Sequence, residues 1–187
     1  MHRKAIWLTR TAAMLALLIC LQWAGSMIPH ALTKQLITGT MVNCVLAVTV
    51  LTVGYRSGIS VALISPVCAF WVGISQLITV LPIMLGNLVF VLLLGRLMGK
   101  ALWQKVVALG AAAAAKFAVL YILVVKIICG LALDVFLGKK VGDTILLGPK
   151  MPGMFSLMFS WPQLVTAVAG GILALIILPV LKKAIKD

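Results

Sequence analysis

Lys116 has more chemistry to offer than any other side chain in this sequence, and fewer obvious partners. It lies in GAAAAAKFAVLYILVV, 110–125, where every other residue is small, apolar or aromatic. An ammonium so far from either end of an apolar helix costs about 2.5–3.5 kcal/mol on insertion scales, so by default it faces a protein interior or a wet cavity. Four carboxamides, Gln22, Asn43, Asn87 and Gln163, also fall inside apolar runs. An amide in hydrocarbon needs hydrogen-bond partners and therefore turns inward. One cation with a set of neutral donors and acceptors can hold and orient a small polar ligand.

The same inventory excludes other chemistry. There is no GxxxxGK[ST] phosphate loop, no HExxH, no pair of carboxylates and no Ser/His/Asp set; His2 and His30 are terminal or in a loop. No enzyme activity is expected, and no cofactor. Cys20, Cys44, Cys68 and Cys129 form no CxxC and have no histidine near them, so they read as small hydrophobes in packing and no metal site is expected. No acid lies within any apolar run, which removes the usual proton-coupling carboxylates and leaves Lys116 without an internal counter-charge.

The elements that must position these groups follow from composition. The 187 residues are 64% hydrophobic and 10% charged, with mean hydropathy +1.23. A soluble domain is about 45–50% apolar and about 25% charged. The expected fold class is an all-α integral membrane protein: six transmembrane helices in a single bundle spanning 1–187, both termini cytoplasmic. The spans are expected near 6–28, 36–55, 59–80, 83–98, 105–128 and 156–180, with Pro66 as a kink and Pro82 opening a short fourth span. The basic start followed by an apolar run reads as the first span rather than a cleaved leader. The net charge of +13 comes from basic residues that flank the spans, where they set topology and meet anionic lipid headgroups. None is interleaved with aromatics on a polar face, so nucleic acid is not an expected partner.

With six spans, one side collects Arg3, Lys4, Arg10, Arg56, Arg96, Lys100, Lys105, Lys182, Lys183 and Lys186; the other collects Lys34, Lys139, Lys140 and Lys150. Ten against four, with Lys116 and Lys126 in or near the membrane, accounts for all sixteen and places both termini inside a cell membrane. At about 1.5 Å per residue, Gln22, Asn43, Asn87 and Gln163 then lie about 6–10 Å from the outer ends of their spans. Four amides from four helices at one level can line a cup open to the outside. They can equally be interhelical glue. Gln163, Thr166 and Gly170 share one helix stripe, and Gly39, Asn43 and Ala47 another. Lys116, about 15–18 Å from the outer face, sits deeper, and its stem leans toward the helix N-terminus, away from the amides. It serves either as anchor for an anionic ligand group or as a structural cation on carbonyls or a helix dipole. Tyr121 is either a lining hydroxyl or an interfacial aromatic. Trp161 lies just above Gln163.

The small size, six spans, inward termini and the AxxxA of Ala12 and Ala16 on the first helix resemble the substrate-binding S components of energy-coupling factor (ECF) transporters. The stretches RTAAMLALLICLQ, LITGTMVNCVLAV, LPIMLGNLVFVLL, AKFAVLY and FSWPQLVTAVAGGILA carry the likeness along most of the chain. The resemblance implies a protein that captures a vitamin or related micronutrient from outside. A transmembrane T subunit and two ATPase subunits would then drive uptake. It also implies that Ala12 and Ala16 pack against the T subunit. The assignment of Gln22, Asn43, Asn87, Lys116, Tyr121, Trp161, Gln163 and Thr166 to substrate binding comes from the residues themselves. Two rivals remain open at this point: a membrane scaffold without a ligand, and a self-sufficient small carrier.

Overall fold

The computed structural model describes residues 2–186, with side chains for 4–183. The side chains of His2, Arg3 and Lys186, and all of Asp187, lie outside the described residues. The chain is all-α apart from one small hairpin. Helices α1 (His2–Ser26), α2 (Ala31–Thr52), α3 (Tyr55–Trp71) and α4 (Leu77–Leu97) follow one another through short turns. Helix α5 (Leu102–Leu120) continues into a π-helical segment, Tyr121–Leu131. A short helix α6 (Leu133–Phe136) and a two-stranded hairpin, β1 (Lys140–Val141) and β2 (Thr144–Ile145), lead to α7 (Met151–Met158) and α8 (Trp161–Lys186).

Five segments are long and apolar enough to cross a membrane: Lys4–Ser26, α2, α4, Leu102–Leu131 and Met151–Lys183. The 17-residue α3 is shorter than these. It packs against α1, α2 and α4 within the bundle.

Three helix boundaries differ from those expected, each for a local reason. Helix α2 starts at Ala31 rather than at 36, because the Nδ1 of His30 accepts from the Thr33 amide (3.4 Å) and caps the first turn. The expected third span, 59–80, is broken at Trp71. Gly73 adopts φ +76°, the Ile74 amide reaches back to the Ala69 carbonyl (2.8 Å), and the Gly73 amide reaches the Phe70 carbonyl (3.0 Å). This pair of bonds satisfies the last carbonyls of a helix and stops it. Pro82 does not open α4 but lies inside it, in the second turn from Leu77. Its missing N–H forfeits one intrahelical bond, and its ring bears only on the first turn of the helix.

The expected sixth span, 156–180, is also two pieces. Pro162 lies in the first turn of α8, and its ring would meet the carbonyl four residues back, that of Met158, if the helix ran through. The break at Phe159–Ser160 separates α7 from α8.

The main core is built on α2, whose residues from Asn43 to Val50 are all buried. Its closest partner is α8. A side chain on Gly170 would stand 2.5 Å from the Thr40 carbonyl and 2.7 Å from Cβ of Asn43, and one on Gly39 would stand 3.1 Å from the Thr166 methyl. The two stripes expected from sequence therefore face each other, and their small residues let the backbones approach. A second, smaller core joins Leu120, Val124 and Ile128 to Leu147, Phe155 and Phe159, so α7 rests on the end of the fifth helix.

Gly170→Val forces a branched side chain against backbone that cannot yield. We expect a loss of about 1–3 kcal/mol or more from overpacking, read as a lower midpoint of unfolding in mild detergent. A midpoint equal to wild type would mean that α2 and α8 do not meet at this glycine.

Candidate functional site

Lys116 is 3% exposed. Its Nζ donates to Oδ1 of Asn43 (2.5 Å) and Oδ1 of Asn87 (2.7 Å), and stands 5.5 Å from the centre of the Phe90 ring. Three helices, α2, α4 and α5, thus meet at one ammonium. The alanines before it explain how it fits. Ala112 and Ala113 are fully buried one turn toward the N-terminus of α5, the direction in which a lysine stem leans. Their small side chains leave that lane free.

The two asparagines also explain why Lys116 is not deeper than the amides. With α2 starting at Ala31 and α4 at Leu77, Asn43 lies about 18 Å and Asn87 about 15 Å along their helices. Each is deeper than expected by the five or six residues that the earlier starts add. The amide oxygens face the cation because an ammonium offers only donors. The nitrogens must then face elsewhere. Nδ2 of Asn43 donates to Oγ1 of Thr166 (3.4 Å), whose hydroxyl donates to the Gln163 carbonyl (3.1 Å). Nδ2 of Asn87 is buried and has no partner among the described residues.

Gln22 and Gln163 solve different local problems. Nε2 of Gln22 donates to the carbonyl and hydroxyl of Ser65, both at 3.2 Å, tying α1 to α3 one residue before Pro66. Its Oε1 has no partner among the described residues. Nε2 of Gln163 donates to the Met158 carbonyl (3.2 Å), the group that the Pro162 ring excludes from regular helix bonding. The glue reading therefore holds for one end of each of these amides.

All four amides and Lys116 nevertheless border the same cavity, of about 240 Å³. Lys116, Asn43 and Asn87 form its floor. Its other end is bounded by Pro29 in the α1–α2 turn, by Ile74 and Ser75 in the α3–α4 turn, and by Met154 and Phe155 of α7. Ile83, Met158 and Phe159 add apolar side chains to its lining.

The remaining expected site residues fall outside this lining. Thr166 is fully buried behind Asn43 and positions its amide. Tyr121 packs on Phe117, ring centres 5.6 Å apart, beneath the Nζ of Lys126. Trp161 is exposed, as are Trp23 and Trp71 at the same end of the bundle, an arrangement of interfacial aromatics. Among the lining residues not assigned to the site from sequence are Lys34, Thr38 and Ser65. Lys34 and Thr38 lie one and two turns into α2 and continue at four-residue spacing to Val42, a row beside the Gly39–Asn43 stripe that the helical period could have found. Ser65 carried no signal, since it is one serine in an apolar helix.

Comparison with protein-family models, with curated proteins and with solved structures finds no match.

Asn43→Leu keeps the shape of the side chain but removes an acceptor from a buried cation. Hydrogen bonds to charged groups contribute about 1.5–3 kcal/mol, and we expect a stability loss of that size. In a Lys116→Met background the same substitution should cost little, because no ammonium remains to be solvated. Equal losses in both backgrounds, measured by unfolding in detergent, would remove the Lys116–Asn43 bond from the account.

Proposed function

We propose that this chain is the substrate-specific S component of an ECF-type importer. It would capture a small anionic micronutrient, a vitamin or similar molecule, from outside the cell. Uptake would be driven by a transmembrane T subunit and two ATPase subunits, and this chain would itself perform no chemistry. The observation that carries the reading is the cavity with an unneutralised ammonium at its floor. The acids among the described residues are Asp134 in α6 and Asp143 in the hairpin turn. Neither partners Lys116, whose bonds go to neutral amide oxygens. A buried cation solvated only by dipoles gains most from an incoming anion.

The architecture proposed with it is a six-crossing bundle in the cell membrane with both termini cytoplasmic. Helix α3 supplies the sixth crossing. Its 17 residues reach about 25 Å, short for a lone span and adequate within a bundle that buries Ser57, Ser65 and Ala69. In this orientation the basic residues favour the cytoplasmic side and the open end of the cavity faces outward.

The docking face is proposed on α1, where Ala12 and Ala16 are both exposed on the outside of the bundle. Their sequence resemblance to the alanine motif of S components supports this role, and their exposure leaves the face free.

Two outcomes follow. Lys116→Met should remove ligand co-purification and uptake in cells carrying the energising subunits, while the protein still inserts. Uptake at the wild-type rate would sink the anion site. Ala12→Trp or Ala16→Trp should spare ligand binding and abolish co-purification with the T subunit. A complex that survives both substitutions would place the docking face elsewhere.

A further inference from the structure

The fully buried polar side-chain atoms left unpaired among the described residues all belong to residues bordering the cavity, and with Lys116 they fall in two groups. At the floor, Asn87 offers both N–H groups of its Nδ2, and Lys116 keeps one N–H after its two bonds to asparagine. Toward the open end, Gln22 offers a free Oε1 and Thr38 a free hydroxyl. Gln22, Thr38 and Asn87 are 3%, 5% and 1% exposed, respectively, so each of these atoms is buried. The two upper residues are neighbours. A side chain on Gly25 would run into Oγ1 of Thr38, and Gln22 lies one turn from Gly25 on the same face of α1.

Resting on the capture function proposed above, we propose that the cavity takes a monocarboxylate whose far end carries a hydrogen-bond donor. One carboxylate oxygen meets Lys116 and the other the Asn87 amide. The distal hydroxyl or N–H meets Oε1 of Gln22 and Oγ1 of Thr38. The floor suits a planar group with two oxygens and a single charge: it has one cation and one amide, too few donors for the three oxygens and higher charge of a phosphate. The upper pair includes a carbonyl-type acceptor that a second carboxylate would leave unpaired and repel. Thr38 is five residues before Asn43 on α2, so the two anchor levels are about 7–8 Å apart. Ile83, one turn before Asn87 on α4, and Phe159 also line the cavity and call for an apolar linker. Lys34, one turn beyond Thr38 at the cavity edge, draws anions toward the opening without entering either anchor.

The test uses the full chain in lipid nanodiscs and equilibrium dialysis of 6-hydroxyhexanoate, whose extended chain matches this spacing. Hexanoate, hexan-1-ol, hexanedioate and hexyl phosphate serve as comparisons. We expect 6-hydroxyhexanoate to bind about tenfold tighter than hexanoate, the worth of one satisfied buried pair. Thr38→Val should erase that preference. Asn87→Asp keeps an oxygen on Lys116 but replaces the free donor with a negative charge. It should weaken both carboxylates by at least about 100-fold and leave hexan-1-ol unchanged. Equal binding of hexanoate and 6-hydroxyhexanoate would overturn the distal anchor. Tighter binding of hexanedioate would also overturn it, and would implicate Lys34. Tighter binding of hexyl phosphate would overturn the carboxylate assignment. Cells that accumulate a nutrient through this chain while none of these acids binds would refute the ligand class and leave the capture function standing. Carboxylate binding as expected, without any uptake in the presence of T and ATPase subunits, would do the reverse.

Discussion

A positive charge held inside an apolar bundle must be solvated by groups fixed in the protein. In this bundle that burden falls on Lys116, and the arrangement of α2, α4 and α5 follows from it. Two amide oxygens and one aromatic face surround the Nζ, all of them dipoles or a quadrupole rather than charges. Such an environment tolerates the cation without neutralising it. Replacing either asparagine by a carboxylate would complete an ion pair and remove the electrostatic reason for an anion to enter. Oxygens of neutral amides stabilise the site enough to fold and leave a net field directed into the cavity.

The second constraint is geometric. An ammonium can bridge asparagines on two helices only if those helices come close, and the small residues permit it. Gly39 and Gly170 bring α2 and α8 together, which sets Thr166 behind Asn43 and turns its amide oxygen toward Lys116. Gly86 admits Leu120 against α4, seating α5 one turn from Lys116. The asparagines, lysine and glycines thus act as one unit, in which close packing sets the orientation of the dipoles and the dipoles accommodate the charge.

Proline and glycine shape the open end of the cavity. The stop at Gly73 ends α3 early, and the turn that follows contributes Ile74 and Ser75 to the lining. The exclusion around Pro162 splits the last apolar segment, so that α7 leaves the axis of α8 and lays Met154 and Phe155 over the cavity. Gln163 takes up the carbonyl left over from that break. Had both segments run as uninterrupted helices, these turn and α7 residues would lie along two helix axes instead of around an opening.

Much of this was legible in the sequence. The length of the apolar runs pointed to an all-helical chain, and five of the resulting segments are long and apolar enough to cross a membrane. The cost of polar groups in hydrocarbon marked Lys116, Gln22, Asn43, Asn87 and Gln163 as inward-facing, and all five border one cavity. Helical spacing paired the Gly39–Asn43 stripe with the requirements of its neighbour. Depth was not legible. It depends on where each helix starts, and the start of α2 is marked by a single hydrogen bond, from the Thr33 amide to His30, which no hydropathy window registers. Nor could the sequence say which amide meets the lysine or which polar atoms stay unpaired. Asn43 and Lys116 are 73 residues apart, and only the packing of whole helices brings their side chains within hydrogen-bonding range.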